Sequence, residues 1–223
     1  PNQIGMLNSI SKEAIRIDNE DEAFEKLIYA CKIALTPPKG PVSIEIPIDI
    51  QRKKIKRPYL LDTISLPHII GELGDTKSLD KIENYIKSSK RKILWVGNGA
   101  KFATEEINLF IKMGFAVVTS TQGRGVVPET NNMCLGAFNA VPLIEEFYKT
   151  LDLMIVVGSR LRGHETRDMS LELPKNLVQI DIDPSAKNRT YKTNQFHCGD
   201  AKKVLAELAK RLDGKISVNN EWI

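Results

Sequence analysis

KILWVG, Lys92 to Gly97, is apolar at nearly every position and stops at a glycine. A strand with one wet face alternates apolar and polar residues, whereas one buried on both faces does not, and parallel sheets bury both faces. Three further runs share the character: FAVVTS (Phe115 to Ser120), LMIVVG (Leu153 to Gly158) and LVQIDI (Leu177 to Ile182). Between and around them lie segments with apolar residues at helical spacing, about Lys77 to Ser88, Thr104 to Met113, Val141 to Thr150 and Ala201 to Leu212. From Thr76 onward the alternation of apolar strand and helix predicts an α/β fold, a parallel sheet covered on both faces.

The part before it reads differently. Phe24, Leu27, Ile28, Cys31 and Leu35 recur at helical spacing, and Asn19 with Glu22 has the order of a cap and its return partner, so a helix is expected over Asn19 to Leu35. The strand Val42 to Ile46 is fenced by Pro41 and Pro47 and is expected to be the first in the chain. After it, Arg52, Lys53, Lys54, Lys56 and Arg57 crowd the start of a stretch without apolar periodicity, broken by Pro58, Pro67, Gly71 and Gly74. Such a stretch reads as a solvated connector.

Composition narrows the class. With 223 residues, 42% of them hydrophobic, the chain can build one full core and part of another. A net charge of +4 spread along the chain and only 6% aromatic residues argue against nucleic-acid binding. Cys31, Cys134 and Cys198 are odd in number and far apart, which suits neither a disulfide framework nor a zinc site; buried free thiols in a reducing cytoplasm are expected. No apolar run reaches the roughly twenty residues of a membrane span, and the N-terminus lacks the blocks of a signal peptide, so a cytoplasmic location without membrane contact is expected. His68, His164 and His197 have no nucleophile or carboxylate at a legible spacing and read as polar loop or surface residues. No catalytic set and no metal set is legible.

Ligands of open parallel sheets lie at the carboxyl ends of the strands. Those ends carry Gly97, Asn98 and Gly99; Ser120, Thr121, Gly123, Arg124 and Gly125; Gly158, Ser159 and Arg160; and Asp181 and Asp183. Glycine lets a phosphate or ring approach the backbone, an arginine fork grips phosphate, and a strand-end aspartate can accept from a ribose hydroxyl. Together they describe a nucleotide crevice with Arg160 as phosphate anchor. Each residue also has a structural reading: glycine for steric fit in strand-to-helix turns, Arg160 and Arg162 for surface ion pairs, Asp183 for starting a turn before Pro184, and Asp200 for capping the last helix.

Read in order, KGPVSIEIPIDIQ, ILWVGNGA, FAVVTSTQGRGVVPE, DLMIVVGSRL, LVQIDIDPS and CGDAKKVLAELAKRL resemble thiamine diphosphate-dependent enzymes of the acetolactate synthase and 2-oxo acid decarboxylase superfamily. The resemblance covers nearly the whole chain. It implies that residues 1–51 are the tail of a pyrimidine-binding domain, 52–75 a linker, 76–213 a central Rossmann-like, doubly wound domain of about six parallel strands, and 214–223 the start of a linker to a diphosphate-binding domain. In full-length members, thiamine diphosphate and Mg2+ are held outside this segment, by a glutamate of the first domain and a Gly-Asp-Gly motif of the third. Gly74-Asp75 and Gly199-Asp200 here do not complete that motif.

The implied function is the middle of a lyase or transferase acting on a small 2-oxo acid, inactive alone, joined to the remaining domains of one polypeptide in a homodimer or homotetramer. The central domain of some members holds FAD or an adenine nucleotide. By resemblance Gly97, Asn98, Gly99, Ser120, Thr121, Gly158, Ser159, Arg160, Asp181, Ile182, Gly199 and Asp200 fall at those contacts. LGAFNAV (Leu135 to Val141) and Arg162 depart from the flavin-binding pattern. The alternative is a free-standing, non-catalytic nucleotide-binding or regulatory module of the same fold.

Overall fold

The computed structural model describes residues 2–65, 69 and 71–216. Pro67 and His68, and 217–223 of the expected second linker, lie outside the described residues. The chain divides into two units, Pro1–Gly71 and Glu72–Ile223.

In the first unit, Asn2 caps α1 (Gln3–Ile10) by accepting from the Gly5 N–H. Next come β1 (Glu13–Arg16), a 3-10 turn (Glu20–Glu22), α2 (Ala23–Leu35), β2 (Val42–Glu45) and α3 (Ile48–Gln51). β1 and β2 pair in parallel, Glu13 opposite Val42 and Arg16 opposite Glu45. The Val42 strand is therefore the second in the chain, not the first; EAIR, four residues with charged ends, carries no strand signal of its own. The expected capping box is also replaced. Asn19 accepts from the Asp21 N–H and so caps the 3-10 turn, while Glu22 pairs with Lys26 one helical turn on, at 2.9 Å. The basic stretch is not wholly free either, since Lys53 Nζ lies 2.8 Å from Glu20.

In the second unit, Asp75 caps α4 (Thr76–Ser88), and β3 (Lys92–Val96), α5 (Thr104–Lys112) and β4 (Phe115–Thr119) follow. α6 (Pro142–Lys149), β5 (Leu153–Val157), β6 (Leu177–Asp181), β7 (Gln195–Cys198) and α7 (Ala201–Leu212) complete it. The sheet is parallel throughout, in the order β4-β3-β5-β6-β7. It has five strands among the described residues, where about six were expected. The remaining place, beside β4, is taken by a stub. Val117 N–H donates to Met133, Leu135 N–H to Val117 and Thr119 N–H to Gly136, at 2.8, 2.8 and 2.9 Å, with one bridge between Val117 and Cys134. The chain reaches the stub from a turn at Asn131 and leaves it at Gly136, whose φ of 72° bends it away before a full strand forms.

Both faces of the sheet are covered. Leu94, Val96, Val117, Ile155, Val157 and Ile180 pack with Leu79, Ile82 and Ile86 of α4, Ile107 and Phe110 of α5, and Val204, Leu205 and Leu208 of α7. The opposite face, with Ile93, Trp95, Ala116, Val118, Met154 and Val156, packs with Tyr148 of α6 and with Leu161 and Leu171 from the loop after β5. Residues alternate between two dry layers along every central strand, which is why those strands show no polar alternation.

Candidate functional site at the strand ends

The residues singled out from the sequence do lie at the carboxyl ends of the five strands, but many of their side-chain and backbone groups are engaged within the protein. Gly97 and Gly99 follow β3 and Gly158 follows β5. A Cβ on Gly97 would stand 2.2 Å from the Gly158 carbonyl oxygen, and one on Gly158 would stand 2.6 Å from Gly99 Cα. Gly123, after β4, is closed off in the same way by the Val96 carbonyl at 2.3 Å. These glycines serve loop-to-loop packing: three strand-end turns meet backbone to backbone. At Gly158 the backbone also needs its φ of 59°.

The polar groups are paired. Ser120 is buried and its hydroxyl accepts from the Gly123 N–H at 2.9 Å. Thr121 N–H donates to Glu165 Oε1 at 2.6 Å. Ser159 is buried, its carbonyl accepting from the amide of buried Gln179 at 3.1 Å. Arg160 Nη2 donates to Asp183 Oδ2 at 3.0 Å, so the expected phosphate anchor is half of an ion pair. Asp183 also accepts from the Ser185 N–H and hydroxyl, which holds its carboxyl below the usual range. Asp181, the last residue of β6, accepts from the Asp183 N–H, yet burial pushes its carboxyl upward. Asp200 caps α7 by accepting from the Lys203 N–H, and Gly199 N–H donates to the Asp181 carbonyl. Asn98, Gly99, Thr121 and Arg160 are exposed, and Ile182 is half-buried.

Glu165 was not expected. It closes a 3-10 turn, Gly163–Glu165, in the loop after β5, and it is only 6% exposed. A buried acid in an irregular loop has no periodicity to announce it. His197 corrects an expectation as well: it is 1% exposed, on β7, with Nδ1 2.5 Å from Ser78 Oγ and Nε2 2.6 Å from the Leu73 carbonyl. Burial holds its imidazole below the usual histidine range. His164 is exposed, as expected. The cysteines are free, but Cys31 and Cys198 are exposed and only Cys134 is partly buried. Burial and the nearby Asp181 and Asp183 push the Cys198 thiol up, which makes it a poor nucleophile. A shallow depression of about 480 Å³ opens at the sheet edge between α4 and β7, lined by Lys77, Ser78, Lys81, Phe196 and Cys198.

A metal-diphosphate group does not fit these residues. Both Gly-Asp pairs use their carboxylates as helix caps, Asp75 toward Lys77 and Ser78 and Asp200 toward Lys203. Among the described residues no cluster of three or more His, Cys, Asp or Glu could hold a metal ion, and no helix is long and apolar enough to cross a membrane. Of the donors a nucleotide phosphate would use at the strand ends, the Thr121 N–H and Arg160 Nη2 already carry internal acceptors.

The chain is similar to the acetolactate synthase large subunit of Corynebacterium glutamicum, 26% identical over 98% of this chain and 36% of that protein. It is 25% identical to the acetolactate synthase isozyme 3 large subunit of Escherichia coli, over 94% of this chain and 38% of that one. It thus spans little more than a third of the length of these relatives. A solved structure described as a thiamin diphosphate-dependent enzyme from Mycobacterium smegmatis shares the fold, with a TM-score of 0.71 at 20% identity, over 94% of this chain and 40% of that one. Residues 79–208, more than half of the chain, match the family described as the thiamine pyrophosphate enzyme, central domain. The chain belongs to that family of thiamine diphosphate-dependent enzymes, and the doubly wound unit is its central domain.

Proposed function

We propose that this chain is the middle of an acetolactate synthase-like lyase or transferase, which uses thiamine diphosphate and Mg2+ to act on a small 2-oxo acid. The observation that carries the reading is continuity: acetolactate synthase large subunits align through 94–98% of the chain, across both units and not the central domain alone. In this reading residues 1–51 finish a pyrimidine-binding domain, 52–75 link it to the central domain at 76–213, and 214–223 begin the passage to a diphosphate-binding domain. The cofactor supplies carbanion stabilisation when bound. This segment supplies none of its ligands, and its contribution is scaffold and assembly surface. The whole enzyme works as a homodimer or homotetramer in the cytoplasm.

The test is the native polypeptide. The reading expects an antibody against this segment to detect a product of roughly 550 residues, the size of three ordinary domains. That product, purified, should consume pyruvate or another 2-oxo acid only with thiamine diphosphate and Mg2+ present. The segment alone should show neither turnover nor an EDTA-sensitive thermal upshift with that pair. A native product no longer than this chain would favour the free-standing module.

A further inference from the structure

We infer that the strand-end crevice is filled from within: carboxylates of this chain, Glu165 foremost, stand where a nucleotide's phosphates would, and the domain binds neither FAD nor ADP. Anion sites at such sheet ends work by offering unpaired backbone N–H groups and an arginine. Here several of these donors have been given an internal anion. Thr121 N–H holds Glu165 at 2.6 Å, Ser185 N–H and Arg160 hold Asp183 at 2.9 and 3.0 Å, Asp183 N–H holds Asp181 at 2.9 Å, and Lys203 N–H holds Asp200 at 3.1 Å.

The loop that carries Glu165 is shaped at a cost. Arg167, Asp168 and Met169, three consecutive residues that are not glycine, have φ of 47°, 53° and 67°, a left-handed run that L-residues avoid. Neighbouring Thr166 is fully buried, its hydroxyl donating to the Arg162 carbonyl and accepting from the Met169 N–H. Arg167 is tied to Glu145 of α6. The strained turn is thus pinned on both sides, and it delivers a nearly buried carboxylate to the end of β4. A charge-assisted bond of this kind is about twice as strong as a neutral one. An incoming phosphate would have to displace it and lie beside a buried like charge, and each of these opposes binding.

The inference is independent of which 2-oxo acid the enzyme uses, and turnover assayed on the same preparations reads that proposal separately. The intact polypeptide is titrated with ADP, FAD and inorganic phosphate by calorimetry, as parent, as Glu165→Gln and as Glu165→Ala with Asp183→Asn. The parent is expected to give no saturable heat at millimolar ligand. Glu165→Gln should gain less than the double variant, because it removes the charge while its amide oxygen still accepts from Thr121. The double variant should gain ADP or phosphate affinity by about tenfold or more. If it does not fold, Glu165→Ser, with a hydroxyl too short to reach the Thr121 N–H, takes its place. Saturable binding of FAD or ADP by the parent overturns the inference, and so does a folded double or Ser variant that gains nothing.

Discussion

Glu72–Ile223 and Pro1–Gly71 use the same vocabulary, parallel strands and amphipathic helices, with different results. In the larger unit β3, β4, β5 and β6 are buried along their whole length and two separate apolar layers cover them. In the smaller unit neither strand has a fully buried residue, and Ile17, Ala30 and Ile50 are its only buried apolar side chains among the described residues. Met6, Ile10, Tyr29 and Ile48 of that unit are exposed. A parallel strand gains stability from neighbours on both edges and cover on both faces. Two strands cannot supply either, so similar local patterns produce a core in one unit and only a partial one in the other.

The contrast should be widest in proteolysis. Amides and peptide bonds in a dry core open only with most of the fold, whereas exposed segments open almost freely, a difference exceeding about a thousandfold in cleavage rate. Trypsin is expected to cut first among Arg52, Lys53, Lys54, Lys56 and Arg57. Earlier cleavage at Lys101 or Lys149 would erase the distinction. Next comes core truncation. Phe110→Ala, removing a fully buried ring that meets Phe115 edge-on at 5.1 Å, should cost about 3–5 kcal/mol in denaturant unfolding. Tyr29→Ala, at a side chain 46% exposed, should cost less than about 1 kcal/mol; equal losses would mean the smaller unit has a core after all.

A pH titration sharpens the same comparison. The folded His197 titrates below its unfolded value because burial opposes its charge, with only a smaller opposing pull from the Leu73 carbonyl and Asp75. The unfolded chain therefore binds the proton first. Stability of the larger unit should be full above about pH 6.5 and fall toward the lower folded pKa, by at most about 1.4 kcal/mol per pH unit. His197→Gln should flatten that slope, and an unchanged slope would place the titration elsewhere. The smallest effects are expected at the caps. Asp75→Ala and Asp200→Ala should each cost about 1 kcal/mol, because their helices are anchored to the sheet. Asn19→Ala, which frees a single N–H of a 3-10 turn, should cost only a fraction of that by the same unfolding measurement.

What could be read in advance followed burial. KILWVG and its three companions were legible because strands dry on both faces lose every polar position, and Asp200 was legible because a cap stands just before an amphipathic run. β1 and β7 were not, since EAIR and QFHC sit at sheet edges and mix charge or polarity with apolar residues. The strand-end glycines, Arg160 and Asp183 do lie at the strand ends, where they also meet partners inside the protein. Their partners are other turns and acids distant in sequence, and a linear pattern does not encode which donor a carboxylate will reach. Glu165 illustrates the limit: it acts across 44 residues on Thr121.

The seam between β3 and β5 has a consequence in time. Lys92 lies opposite Leu153, so this pairing closes a loop of about sixty residues, whereas β3–β4 and β5–β6 each close one of fewer than thirty. Short closures come first because their entropic cost is lower. The sheet is thus expected to assemble as two halves, each a strand–helix–strand or strand–loop–strand unit, that meet last along β3–β5. Until that meeting the inner edges of both halves are open hydrogen-bonding templates. Ile93, Trp95, Ile155 and Val156 line them, so the slowest step of folding is also the moment at which one copy of the chain can most readily pair with another.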